Sequence, residues 1–385
     1  MTAPKGTRPE EAVSRQSGNG ADVTTVSQCK NRLQTSGALV IAPLLLTVLA
    51  AIACGGATPT PPATTDREEA VTLRLGYLPN VTHAQPVVGL ENGTYANILG
   101  DGANIETKHF NSGPSIIEAL YAGALDAAYI GPNPAITGYV QSRGKALRIV
   151  AGATSGGALF IVRPASNINT PADLAKKKIT TPQLGNTQDV ALRAFLAANG
   201  LKSREDGGNV TVLPTSNANT LTLFQKGDID AAWVPEPWGT RLIQEAGGRL
   251  FFDERDLWPN GDFVTTNLIV SASFLEKHPD VVERLLKAHI ETTQWINANP
   301  DAAAQIASRR IEADTGAALP VALVTASWKN LRVTSDPVAS SLRRSADDAF
   351  ALGFLGRMKP DLKDIYSLDL LNKALAEKGL PPVSR

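Results

Sequence analysis

The sequence predicts an α/β protein of two similar lobes, each a mainly parallel sheet flanked by helices, with a cleft between the lobes. Three observations lead there. From Val71 onward, strand-like alternation and helix-like spacing take turns along the chain, the signature of a largely parallel sheet covered by helices. The length of 385 residues exceeds one compact domain and falls short of three. Most tellingly, the segment Gly123-Ala124-Leu125-Asp126-Ala127-Ala128-Tyr129-Ile130 returns as Gly227-Asp228-Ile229-Asp230-Ala231-Ala232-Trp233-Val234.

The chain opens on a targeting segment. Lys30 and Arg32 precede an apolar run over 38–53, which ends in small residues before Cys54. A positive stretch, a short apolar core and small residues at the cut describe a secretory signal, and the run is short for a membrane span of about 20 residues. The junction Ala53-Cys54-Gly55 resembles a bacterial lipobox, which implies that Cys54 is acylated and becomes the new N-terminus. An ordinary signal peptide or an uncleaved anchor is the alternative. Residues 1–53 are thus read as a lipoprotein signal peptide. Residues 54–70, rich in Gly, Pro, Thr and Ala, cannot bury a core and read as a flexible tether between lipid and domain. Removal of the signal also removes Cys29, so the exported part must fold without a disulfide.

Residues 71–77 alternate in the strand manner, and a loop at 79–82 leads into a helical stretch that reaches about residue 90. In each copy of the repeated segment a helix ends on glycine, which suits a left-handed cap, and a short aspartate turn then enters a buried strand. The match extends upstream, with Ser112 corresponding to Ser216, so a duplicated strand–loop–helix–loop–strand unit explains it better than chance. Farther on, Val281, Val282, Leu285, Leu286 and Ile290 mark one buried face of a long helix within 274–298.

The runs Phe110-Asn111-Ser112-Gly113-Pro114-Ser115, Tyr129-Ile130-Gly131-Pro132-Asn133-Pro134-Ala135-Ile136 and Trp233-Val234-Pro235-Glu236-Pro237-Trp238 carry a more specific likeness. They resemble the type II periplasmic binding proteins of the aliphatic sulfonate, taurine and nitrate importers, a group that also includes thiamine-pyrimidine binding proteins. The likeness spans about residues 71–380. It implies a first lobe of 71–160 plus 266–385 and a second of 161–265. It also implies a monomer that passes its solute to an ABC permease and its ATPase, with the membrane reached through the lipid anchor. The expected solute is a small anionic or zwitterionic molecule, a sulfonate or taurine first, then a nitrate-like anion or a pyrimidine. A sensor that presents its ligand to a receptor is the other partner that sequence leaves open.

In open α/β sheets, ligands sit at the carboxyl ends of strands. The corresponding loops are 76–83, 111–115, 131–135, 153–157, 182–189, 214–219 and 233–238, and none contains lysine or arginine. They offer instead helix starts, whose free N–H groups and positive dipole end can hold an anion without a formal cation. The expected ligand contacts are Asn80, His83, Ser112, Gly113, Asn133, Thr154, Ser155, Gly185, Asn186, Thr187, Gln188, Ser216, Glu236 and Trp238. Asn, Ser and Thr at such places also serve as plain helix caps. Glu236 has two readings: it meets an ammonium on the ligand, or it turns away and braces its proline-stiffened loop. His83 likewise either donates to an anion or simply packs.

Other classes find little support. Acidic and basic residues balance at 37 each, so no basic face for nucleic acid is expected. No spacing of His, Cys and carboxylates suggests a metal, and no cofactor is expected. A pyrimidine-synthase-like enzyme on the same fold relies on a cysteine-rich motif, whereas Cys29 and Cys54 are the two cysteines here. No catalytic residue is assigned.

Overall fold

A computed structural model describes residues 70–385. The signal segment, Cys54 and the tether as far as residue 69 lie outside the described residues. Eleven strands form two sheets. The first contains β1 (Val71–Tyr77), β2 (Ala103–His109), β3 (Ala127–Ile130), β4 (Leu147–Gly156), β10 (Val264–Ser271) and β11 (Leu331–Val333), in the order β11-β4-β10-β3-β1-β2. The second contains β5 (Ala158–Val162), β6 (Lys178–Thr181), β7 (Thr211–Pro214), β8 (Ala231–Pro235) and β9 (Arg249–Asp253), in the order β7-β6-β8-β5-β9.

Each sheet is mixed, with most of its strands running one way as expected. Strands β1, β2 and β3 run parallel, as do β6, β7 and β8. The strands that enter from the opposite half, β10 and β5, pair antiparallel on both sides. The cause is topological, because a chain that crosses from one sheet to the other arrives in the reverse direction. Apart from β11, the two sheets share one plan, with β2-β1-β3-β10-β4 matched by β7-β6-β8-β5-β9.

The chain passes from the first sheet to the second at Gly156 and Gly157, with φ of 76° and 78°. Two successive left-handed residues favour glycine on steric grounds. Strand β5 lies wholly in the second sheet, so this passage precedes the expected 160–161 boundary. The return runs through 254–263 into β10.

Strands β3 and β8 are buried along their whole length, which accounts for their unbroken apolar composition. Around the first sheet one continuous core includes Leu75, Ile130, Ile149 and Leu268, and the long helix Pro279–Ala298 contributes Val282, Leu285 and Leu286 as its spacing predicts. The second sheet has a core on each face. One of them is aromatic, with Phe160 stacked on Trp233 at 5.3 Å and Phe252 edge-on to both.

Candidate functional site

Two helix starts, one from each sheet, meet at Gly131 and Thr187. Gly131 caps the helix Pro132–Gln141, which leaves β3. Thr187 opens the helix Thr187–Ala198, whose cap Asn186 accepts the Thr187 N–H at 2.9 Å. A Cβ on Gly131 would lie 2.5 Å from Thr187 Oγ1, so glycine is what permits this approach. Thr187 is only 5% exposed, yet its hydroxyl has no hydrogen-bond partner. A buried polar atom left unpaired costs about 1–3 kcal/mol. The protein carries that cost at the point where its two halves face each other.

The loop that presents Thr187 is tied down from behind. Asp189, fully buried, accepts from Thr181 Oγ1 at 2.9 Å, from the Gly185 N–H at 3.0 Å and from Arg193 Nε at 3.1 Å. Gln188 is buried beside it. On the facing side, Ser112 caps the helix Gly113–Tyr121 and its hydroxyl lies 3.2 Å from that of Ser115. Gly113 sits against Pro134, where a Cβ would come within 2.4 Å, so the two helix starts of the first sheet are packed together. Asn133 is buried and donates to the Ser345 carbonyl at 3.3 Å. Ser112, Gly113 and Asn133 therefore stand on one side, with Gly185, Asn186, Thr187 and Gln188 on the other.

The remaining candidates, Ser155 apart, have structural partners. Asn80 accepts from Thr82 N and Oγ1, and Thr154 donates to the Thr82 carbonyl at 2.6 Å, which together fix the turn 80–83. His83 is buried and accepts the Leu78 N–H on Nδ1; burial pushes its pKa down to about 3, so the ring is neutral and carries its proton on Nε2. Ser155 lies within β4, opposite Val264 and Arg332. Ser216 is exposed and caps the helix Asn217–Lys226 through Asn219.

Glu236 is fully buried, and its carboxylate accepts from Thr240 N at 2.9 Å, Thr240 Oγ1 at 2.8 Å and Asn330 Nδ2. These contacts tie the start of the helix Trp238–Ala246 to the residue just before β11 of the other sheet. Burial raises the Glu236 pKa, while these donors favour the charged form. Of its two readings, the bracing one has visible partners. Trp238 is half-buried under the Arg241 guanidinium, which lies 4.6 Å from its ring.

The loop-by-loop reading missed the return passage. Glu254, immediately after β9, accepts from the indoles of Trp233 at 2.8 Å and Trp258 at 3.3 Å. Burial pushes its pKa up to about 7 against the pull of these donors. Arg344 stacks over Trp258 at 4.4 Å. The sequence signal was an acidic residue between an apolar strand and a Trp-Pro-Asn-Gly turn, but it belonged to no strand-end loop that the parallel pattern marked. Among the described residues no cluster suited to a metal ion occurs, and no helix is long and apolar enough to cross a membrane.

The model of the NMT1-like family matches residues 66–311. The chain belongs to the NMT1-like family. This NMT1-like protein is 29% identical over 234 residues to the taurine-binding periplasmic protein of Escherichia coli strain K12, a match covering 60% of this chain and 69% of that one. It is 24% identical over 322 residues to the putative aliphatic sulfonates-binding protein of Bacillus subtilis strain 168, covering 82% and 91%. In fold it is similar to the alkanesulfonate-binding protein SsuA from Xanthomonas axonopodis pv. citri bound to MOPS, with a TM-score of 0.62 and 23% identity over 75% of this chain and 96% of that one. The likeness carried by the Gly-Pro-Asn-Pro and Pro-Glu-Pro-Trp runs therefore holds: the relatives of this NMT1-like protein are solute-binding proteins.

Proposed function

We propose that this protein is the extracytoplasmic, lipid-anchored solute-binding component of an ABC importer, and that it holds a small sulfonate, an alkanesulfonate or taurine, between its two halves. The relatives from E. coli and B. subtilis, named for taurine and for aliphatic sulfonates, support the ligand class. The observation that carries the reading is the buried, unpartnered Thr187 hydroxyl facing Gly131. In this reading the sulfonate oxygens accept from that hydroxyl and from the helix starts at 112–113, 131–133 and 186–188, where the positive dipole ends replace a cation. Glu236, already engaged by Thr240 and Asn330, stays outside the contact set. The halves move as two lobes hinged at Gly156–Gly157 and at 254–263. The closed form docks as a monomer on a permease with its ATPase, and no covalent chemistry is involved.

Calorimetry on residues 54–385 tests the site. Taurine or an alkanesulfonate should bind, and Thr187→Ala should weaken binding about ten- to a hundred-fold, the worth of one hydrogen bond to a charged ligand. Unchanged affinity in Thr187→Ala would overturn this account of the site. The anchor is tested separately: Cys54→Ser should abolish lipid labelling and release the protein from membranes, and a variant that stays membrane-bound would count against it.

A further inference from the structure

The first half carries a cavity of about 490 Å³ that none of the candidate residues lines, within the range of roughly 300–1,000 Å³ typical of small-molecule sites. It lies between the helix Ala339–Ala351 and the chain that follows, with the buried Leu342, Ala346 and Ile365 as its apolar base. Arg343 and Asp347, one turn apart, border it from that helix. Arg344, Ser345 and Asp348 border instead a separate cavity beside Thr187 and Trp258, so the two spaces lie on different faces of one helix.

The charge around this space is one-sided. Four of its five charged side chains are basic, and the single acid, Asp347, is already engaged by Lys359 at 2.6 Å. Arg343, Lys363 and Arg385 have no ion-pair partner among the described residues. Tyr366 is the one buried polar residue of the lining, 6% exposed, and its hydroxyl has no hydrogen-bond partner. Burial pushes its pKa well up, while Arg343 lowers it and Asp336 raises it by less, so the hydroxyl keeps its proton and is a free donor. Asp336 itself accepts the Val338 N–H at 2.8 Å. The segment that carries Tyr366 is fixed to β4, because Ile149 donates to the Ile365 carbonyl at 2.8 Å and accepts the Ser367 N–H at 2.9 Å. The donor is thus held in place before any ligand arrives.

A guanidinium fork, an ammonium and a hydroxyl donor suit a group with several acceptor oxygens and more than one charge. A phosphate monoester offers three such oxygens and a charge of about −1.5 to −2, whereas a carboxylate has two oxygens and a single charge. We propose that this cavity binds a phosphate monoester, with Tyr366 donating to one oxygen and Arg343 and Lys363 neutralising the charge. The site is independent of the sulfonate reading of the cleft. A soluble phosphate ester and a phosphatidic acid headgroup share this chemistry, and a space of this size takes the glycerol part of either.

Calorimetric titration of the protein with glycerol 3-phosphate and with short-chain dihexanoyl phosphatidic acid tests it. At least one should bind. Arg343→Ala combined with Lys363→Ala should weaken that binding by about a hundredfold or more, and Tyr366→Phe about ten- to a hundred-fold, the worth of one hydrogen bond to a charged ligand. Since the hydroxyl has no partner within the protein, Tyr366→Phe should leave the urea midpoint of the ligand-free protein unchanged or raised. A midpoint that falls would assign the hydroxyl to the fold and overturn its role as a ligand contact. Thr187→Ala should leave phosphate binding unchanged. The tighter of the two ligands names the source, a lipid headgroup or a soluble ester, and either supports the site. Binding of neither overturns it. So does binding that survives the double variant and Tyr366→Phe, or that is lost in Thr187→Ala and therefore belongs to the cleft.

Discussion

The two copies of the repeated segment occupy equivalent places in the two sheets and serve different ends. In both, the aspartate fastens the parallel neighbour in the same way. Asp126 donates its N–H to the Arg74 carbonyl at 2.9 Å and accepts the Arg74 N–H on its carboxylate at 2.9 Å. Asp230 makes the same pair with Lys178, at 2.8 Å and 2.9 Å. The glycines before them cap their helices at φ of 67° and 79°. Three residues beyond each aspartate stands a buried aromatic with a polar tip, and there the copies part. The Tyr129 hydroxyl lies 2.5 Å from that of Tyr95 and 2.8 Å from His289 Nδ1, among fully buried neutral groups. The Trp233 indole instead donates to Glu254 at the edge of a cavity. A repeated backbone thus makes one position pure core and the other part of the wall of a candidate binding space, and the partner of the polar tip decides which.

The clamps themselves should differ in strength. The Asp126 carboxylate also takes Arg74 Nε at 2.7 Å and Nη2 at 2.6 Å, whereas Arg163 stands 4.0 Å from Asp230. With Asp126 buried but Arg74 partly exposed, Asp126→Ala should cost about 2–3 kcal/mol, the order of hydrogen bonds to a charged group, and Asp230→Ala about 1 kcal/mol. Urea unfolding of the two variants checks this, and equal losses would break the distinction.

Glu254 should give the second half a pH sensitivity opposite in sign to that of the buried histidines His83 and His289 of the first half, whose folded pKa values of about 3 mean that stability is lost as pH falls below about 6.5. Its folded pKa of about 7 lies above the ordinary 4.5, so the stability it contributes is fully present below about 4.5 and is lost as pH rises through 7. A rise of this size corresponds to about 3 kcal/mol. Asp253 nearby raises the pKa and Arg344 lowers it, and both act less than desolvation does. Between pH 5 and 8, Glu254→Gln should therefore lose less thermal stability than the wild type; parallel pH profiles would show that Glu254 titrates normally.

In the first half, burial holds the His289 pKa down at about 3, well below the neutral range. Tyr129→Phe should accordingly cost only about 1 kcal/mol, the net worth of a neutral hydrogen bond, and equally at pH 5 and pH 8. A loss in Tyr129→Phe that varied with pH would show that the two halves are more alike than their partners suggest.

Much of this protein is legible in its amino-acid sequence. Local pattern identified β1, the helix over Val281–Ile290 and both copies of the repeat, because period, glycine caps and turn aspartates act over a few residues. The three runs that carried the family likeness are also local, and they marked Ser112, Gly113, Asn133 and Glu236 as residues to watch. What these would touch could not be read from them. That Thr187 would be left without a partner, while Asn80 and Ser216 cap their own turns, depends on which helix start arrives opposite, and Gly131 is distant in sequence. Strand direction was equally hidden: β10 and β5 look like their neighbours in composition, and only the crossing between sheets reverses them. The cavity beside Trp258 is the plainest case, since its walls come from the Thr187 helix, the return passage and the helix Ala339–Ala351. A space between segments has no residues of its own, so tertiary packing alone decides that it exists and what lines it.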